Sequence, residues 1–290
     1  MPHSPLVEFC HPKHACQVSI ASDSSACAAA FADGGICLWQ LDLEAPRLRW
    51  KVPALQLGTV VGLAVTQRLR GTSVLVAYRD GSLFVLEGGS GQVVHRILQL
   101  RASTMGNRGS REGGTANQEF TSLAVCPTDS SLLVLAGRES AMLAKLQWAK
   151  SAAVQALAHI SLEGAPAASR GIPAAGSMQV AFSARHPGHV WCSSPQRPGQ
   201  LVLFDCGTGA VVKTSLAPTD EVFTALAVHP REELLAAGTV GGRLMLLRSD
   251  TEAWSELNAH GQPILGLAFA SGGTKLFSGA GTANFVWELD

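Results

Sequence analysis

Two short segments of the 290-residue chain bring histidine and cysteine close enough in sequence to raise the question of chemistry. Cys10-His11-Pro12-Lys13-His14-Ala15-Cys16 places two His and two Cys within seven residues. A structural zinc ion needs four such ligands converging tetrahedrally, and neighbours such as Cys10 and His11 rarely both reach one ion. The segment therefore reads as a turn. Arg185-His186-Pro187-Gly188-His189 is a second histidine pair, but Pro and Gly there are turn formers, and His229-Pro230 repeats the placement further along. A serine nucleophile on a sharp turn would need Gly-x-Ser-x-Gly followed by a helix, and neither is present. Glu87-Gly88-Gly89-Ser90-Gly91 lacks the Lys-Ser/Thr of a phosphate-cradling loop. Cys206-Gly207-Thr208-Gly209 recurs at the matching place, so both read as hairpins. Carboxylates are few and none pair on one face, which leaves glycoside chemistry unsupported. No catalytic residue, metal ligand set or cofactor is assigned.

Composition agrees. Lys plus Arg (22) balance Asp plus Glu (22), so charge gives no reason to expect nucleic acid or an anionic membrane as partner. Apolar residues make up 47% and charged ones 15%, ample for a core. The seven cysteines are scattered, mostly in apolar runs, where a free thiol packs as a small hydrophobe and fits a reducing compartment. Met1-Pro2-His3-Ser4-Pro5 has neither the basic start nor the apolar stretch of a secretion signal. No apolar run approaches the roughly 18 residues that cross a bilayer. The expectation is a soluble intracellular protein, cytoplasmic with the nucleus as alternative, without membrane insertion.

The elements that must carry these residues are short strands. From His260 to Asp290, apolar runs at Ile264–Phe269, Lys275–Gly279 and Asn284–Leu289 are separated by Ser271-Gly272-Gly273 and Gly279-Ala280-Gly281, the look of consecutive antiparallel strands. Five further segments match the first run: 17–21, 60–65, 120–125, 178–182 and 223–228. Each is followed by a second strand rich in small residues (28–31, 74–78, 132–136, 189–193, 234–238) and by a third (36–41, 82–86, 142–148, 200–204, 243–247). Asp33-Gly34-Gly35, Asp80-Gly81 and Gly241-Gly242 supply turns between second and third strands. The repeat interval is 43 residues from Gln17 to Val60 and 41 from Phe223 to Ile264. Two intervals are longer, 60 and 58 residues, and hold inserted surface loops at 101–118 and 163–176. Six units are preferred, with a seventh, degenerate one hidden in the long intervals as the alternative.

This periodicity, with His260, Ser278 and Trp287 in the last unit, resembles the WD40 repeat. The resemblance covers Leu6 to Asp290, although no Trp-Asp dipeptide occurs. It implies an all-β fold, a single β-propeller spanning 1–290. It implies also that a His before the first strand bonds through the blade to a strand residue and a Trp: here His260, Ser278 and Trp287. The Asp usual in the second turn is absent, since Gly281-Thr282-Ala283 stand there. His14, Asp33 and Trp39 form the corresponding set of the first blade. The chain ends on a third strand, and an open sheet edge would expose unpaired backbone groups. Leu6-Val7-Glu8-Phe9 can fill it, so that the N-terminal strand closes the ring on the last blade. A strand donated by a partner is the alternative.

What the resemblance implies for function is a rigid disc that binds other proteins: a non-catalytic scaffold subunit of a larger intracellular multiprotein assembly. Candidate partner-binding residues are Arg101, Arg108 and Arg111 in the first inserted loop, and His186, His189 and Arg231 in turns bordering the central channel. Low charge and a positive mean hydropathy, +0.19, fit a surface largely covered by partners. Two alternatives stand beside it. One is a substrate receptor of a ubiquitin ligase, although the Trp-Asp-x-Arg signature of such propellers is missing. The other is a small-propeller hydrolase with a metal in the channel, which needs acidic residues at the openings of first strands, where Val, Leu, Ala and Ser predominate. Arg68-Leu69-Arg70-Gly71 only faintly matches the adjacent arginines of phosphoinositide-binding propellers.

Overall fold

The computed structural model describes residues 7–10, 15–21, 25–41, 47–68, 71–97, 119–137, 140–148, 152–161, 178–194, 197–258, 260–270, 272–281 and 283–289. His14, Arg101, Arg108, Arg111 and the two expected loops, 101–118 and 163–176, lie outside the described residues, so nothing structural attaches to those expectations.

The first strand, β1 (Val7–Cys10), belongs to the last sheet, and the chain then lays down sheets in order. Blade 1 is β2 (Ala15–Ile20), β3 (Ala26–Phe31), β4 (Ile36–Gln40) and β5 (Arg47–Val52). Blade 2 is β6 (Val60–Arg68), β7 (Gly71–Tyr78), β8 (Leu83–Glu87) and β9 (Val93–Ile97). Blade 3 is β10 (Ser122–Val125), β11 (Leu132–Ala136), β12 (Ser140–Trp148) and β13 (Ala152–Ser161). Blade 4 is β14 (Val180–Phe182), β15 (His189–Ser194), β16 (Arg197–Asp205) and β17 (Val211–Leu216). Blade 5 is β18 (Phe223–Val228), β19 (Leu234–Thr239), β20 (Arg243–Arg248) and β21 (Ala253–Asn258). Blade 6 is β22 (Gly266–Phe269), β23 (Lys275–Ala280) and β24 (Ala283–Glu288).

Blade 6 is completed by β1, which runs antiparallel to β24 with Val7, Glu8, Phe9 and Cys10 opposite Val286, Phe285, Asn284 and Ala283. The free edge of β24 is thus occupied by the chain's own first strand, and no strand from a partner is needed there. Six four-stranded antiparallel sheets result among the described residues, with no helix and no seventh sheet.

The burial pattern explains why the sequence takes this form. Middle strands are covered on both faces by neighbouring blades, so they are continuously apolar: Leu83-Phe84-Val85-Leu86 and Leu244-Met245-Leu246-Leu247 are buried throughout. Small residues let the blades converge. At Gly62 an added Cβ would lie 2.2 Å from the Leu123 Cβ of the next blade, so only glycine fits. Polar side chains stitch one blade to the next: Trp50 Nε1 donates to Gly88 O at 2.9 Å, Val65 N donates to Ser19 Oγ at 3.0 Å, and Thr121 Oγ1 lies 3.0 Å from Met178 O. Outer strands β5, β9, β13 and β17 each carry a register shift against the third strand of their blade, while β21 pairs continuously. Such bulges interrupt an edge that would otherwise recruit further strands.

Candidate protein-interaction surface

In the last blade, His260, Ser278 and Trp287 converge. Trp287 Nε1 donates to Ser278 Oγ at 2.8 Å, and the same oxygen lies 2.8 Å from His260 Nε2. Phe285 stacks on the His260 ring (4.4 Å, 14°) and meets Trp287 edge-on. Burial pushes the His260 imidazole down to about 4, so it is neutral at pH 7. Ser278 Oγ accepts the Trp287 N–H and shares a second hydrogen bond with His260 Nε2, whose direction is set by the imidazole tautomer. His260 Nδ1 is buried and has no hydrogen-bond partner among the described residues. The turn that follows β23 holds Gly281 (φ 59°) at the position where the resemblance implies an aspartate.

Blade 1 differs. By register Cys27 faces Trp39 and Ala29 faces Cys37, as Leu276 faces Trp287 and Ser278 faces Phe285. Ala29 therefore stands where blade 6 has Ser278, and the hydroxyl that would join a histidine to Trp39 is missing. Asp33 is exposed in the β3–β4 turn, where its Oδ1 accepts the Gly35 amide at 3.0 Å. Trp39 is half-buried and packs edge-on against Phe31.

His186, His189 and Arg231 come together on one face, at the β14–β15 and β18–β19 turns of blades 4 and 5. Arg185 Nε donates to Arg231 O at 3.2 Å. The two imidazoles lie 5.2 Å apart. His186 Nε2 is 3.9 Å from Glu233, and His189 Nε2 is 3.6 Å from Asp205. Asp205 also closes its hairpin by accepting the Thr208 and Gly207 amides and the Thr208 hydroxyl. These bonds, those from Thr208 foremost, hold its carboxyl below the usual range. Glu87 does the same in blade 2 with the Gly89 and Ser90 amides and the Ser90 hydroxyl, so the glycine-rich segment is a hairpin there too. His229 is a buried pin: its Nδ1 accepts the Arg231 and Glu232 amides at 3.1 and 2.8 Å, and its ring meets Phe269 edge-on. Sequence reasoning did not single out Asp205, although the Asp-x-Gly-Thr hairpin signal marked it. Glu233 belongs to the candidate turn 230–233 that also carries Arg231, but its reach to His186 arises only across the seam between blades.

The six first strands enclose a central channel of about 290 Å³, walled by residues such as Val18, Leu63, Leu123, Ala181, Leu226 and Leu267. Among the described residues no Asp, Glu, His, Lys or Arg lines it. Among the described residues no group of three His, Cys, Asp or Glu side chains is placed to hold a metal ion. The described cysteines are free thiols. Burial pushes Cys27 up to about 12 and Cys16 and Cys206 to about 11, and it raises Cys192 as well, which removes thiolate character at neutral pH.

Six radial four-stranded blades, closed by an N-terminal strand, define a six-bladed β-propeller, and the last blade is crossed by the His–Ser–Trp relay that the resemblance to WD40 repeats implied. The chain is similar to WD repeat-containing protein 75 of Xenopus laevis, with 36% identity over 70 residues. That match takes in 23% of this chain and 8% of the relative, so the chain spans a small part of the length of the curated protein it matches. It is similar in fold to a chain in the crystal structure of a mitotic checkpoint complex, at a TM-score of 0.63 and 12% identity over 99% of this chain and 96% of that one. No family model matches the sequence.

Proposed function

We propose that the chain is a non-catalytic protein-interaction scaffold, a WD-repeat subunit of a larger intracellular assembly. The observation that carries this reading is the contrast between channel and rim. WD40-type propellers are generally non-catalytic, and here the described walls of the channel carry no charged or imidazole group. Ionisable side chains instead gather on the turns of blades 4 and 5, where His186, His189, Arg185, Arg231, Glu233 and Asp205 present donors and acceptors together. The likeness to a chain of a multiprotein checkpoint complex supports the same reading at the level of the fold. The free thiols support a reducing compartment, cytoplasm or nucleus.

The test is purification of the tagged full-length chain from its native source, followed by size-exclusion chromatography. The expected result is co-elution with stoichiometric protein partners, reduced at least ten-fold by the combined variant His186→Ala, His189→Ala, Arg231→Glu. A chain that runs as a monomer without partners under all conditions contradicts the proposal. Imaging the tagged chain checks the compartment, and signal outside the cell or along a membrane tells against it.

A further inference from the structure

Blade 1 ends at the rim in β5, whose first residues are Arg47-Leu48-Arg49-Trp50-Lys51. Arg47, Arg49 and Lys51 are all exposed, and among the described residues no hydrogen bond or ion pair engages their side chains. Several cations of blades 4 and 5 are engaged: Lys213 with Glu252, Arg243 with Glu221 and Glu256, Arg248 with Glu232 and Asp250. The carboxylate that feels the charge of Arg49, Glu87, is spent on the amides of Gly89 and Ser90 and the Ser90 hydroxyl. Leu48, between Arg47 and Arg49 in the strand and on the same face as Lys51 by register, is 55% exposed.

Charge on a free edge also discourages pairing with a like edge. In this molecule, however, β9 carries a single arginine, set over the Phe84 ring, β17 a single lysine, already paired, and β13 and β21 carry no lysine or arginine. Three unpaired cations on β5 exceed what edge protection takes elsewhere in the same ring.

We propose that the rim of blade 1 is a docking surface for an acidic, extended segment of a partner protein, held by Arg47, Arg49 and Lys51 with an apolar contact on Leu48. This rests on the scaffold reading and names one surface and its partner's chemistry. Arg47 to Lys51 span about 13 Å of strand, so four or five residues of an extended acidic segment match them. The ladder is broken at Arg49, because Leu48 pairs with Trp39 while Trp50 pairs with Leu38. Side-chain charges, rather than a continuous backbone ladder, therefore hold the segment. A nucleic acid strand is the less suited occupant. Base stacking needs exposed aromatic rings; Trp50 is buried with its N–H given to Gly88 O, and the large apolar side chain exposed beside these cations is a leucine.

The test uses the full chain and two fluorescein-labelled probes, a glutamate-rich decapeptide containing one leucine and an oligothymidylate of equal charge. Fluorescence anisotropy is read at low salt and at 150 mM salt. The expected result is peptide binding that weakens with salt and falls at least ten-fold in Arg47→Glu/Arg49→Glu/Lys51→Glu. The control Lys145→Glu/Lys275→Glu changes it less than two-fold. A neutral variant, Arg47→Gln/Arg49→Gln/Lys51→Gln, guards against misfolding by charge reversal and loses binding to an intermediate extent. Equal peptide binding by the triple variants, no peptide binding by the unaltered chain, or tighter oligothymidylate binding that the triple reversal abolishes would each overturn the proposal. If these probes fail while the chain still recovers partners from its native source, the scaffold reading stands and the rim assignment falls.

Discussion

Replacing Ser278 by alanine removes one oxygen from a site that is 3% exposed, and leaves almost no cavity, so the cost isolates the hydrogen bonds. Trp287 is 1% exposed, and its indole N–H would lose its partner inside the blade. An orphaned buried donor costs about 1–3 kcal/mol. His260 Nε2 would lose its partner as well, adding about 0.5–1.5 kcal/mol for a neutral bond at a partly exposed ring. The sum, about 1.5–4.5 kcal/mol, lowers the melting temperature by about 3–13 °C in a chain of this size. Urea unfolding followed by tryptophan fluorescence measures it, with Trp287→Phe as the second arm of a double-mutant cycle. Because both substitutions break the same bond, their effects add to less than their sum by about 1 kcal/mol or more. A loss below 0.5 kcal/mol for Ser278→Ala, or strict additivity with Trp287→Phe, refutes the relay.

Acid should weaken the fold through His260. Its folded value of about 4 lies below the unfolded value of about 6.5, so the unfolded chain binds more protons between these limits. The stability linked to this group is complete above pH 6.5 and is lost as pH falls toward 4; solvent screening at the partly exposed ring holds it to about 1–2 kcal/mol. Urea midpoints taken from pH 7 to pH 4 should show this fall, and His260→Gln should flatten it; parallel curves would contradict the assignment. Gly62→Ala should cost about 1–3 kcal/mol, because the new Cβ would sit 2.2 Å from Leu123 Cβ and 2.9 Å from its amide nitrogen. Combining it with Leu123→Ala should add less than the sum of the two single losses, and a melting temperature unchanged by Gly62→Ala would show that the blades are not in contact there.

The ring was largely readable from the chain. Inner and middle strands advertise themselves because both their faces are covered, and the start reading Phe-Thr-x-Leu-Ala-Val at Phe120 and Phe223 recurs where the blades meet. Boundaries moved at two turns: β12 begins at Ser140 rather than Met142 because turn residues pair, and β22 begins at Gly266 rather than Ile264, whose amide goes to Thr239 O of the neighbouring blade. Apart from β1, the outer strands could not be located beforehand. Val93-Val94-His95-Arg96-Ile97 is exposed over most of its length and bulged, so neither alternation nor an apolar run marks it. The relay of blade 6 followed from the family resemblance at Ser278, but the missing hydroxyl of blade 1 needed the register that sets Ala29 at that place. Likewise the joining of His186 to Glu233 depends on two blades meeting, which no spacing within one repeat encodes.

The claim on which everything else depends is that the first strand closes the ring on the last blade. Cys10 lies directly opposite Ala283 in that pairing, so the single change Ala283→Cys sets a second thiol against a native one. Opposed residues in antiparallel strands lie within the Cα separation that a disulfide spans. Mild oxidation followed by peptide mapping should find Cys10 joined to Cys at 283, and the joined form should melt higher, since the bridge closes nearly the whole chain into one loop. Cys10 remaining a free thiol, or a bridge that leaves the melting temperature unchanged, would contradict the closed six-bladed ring.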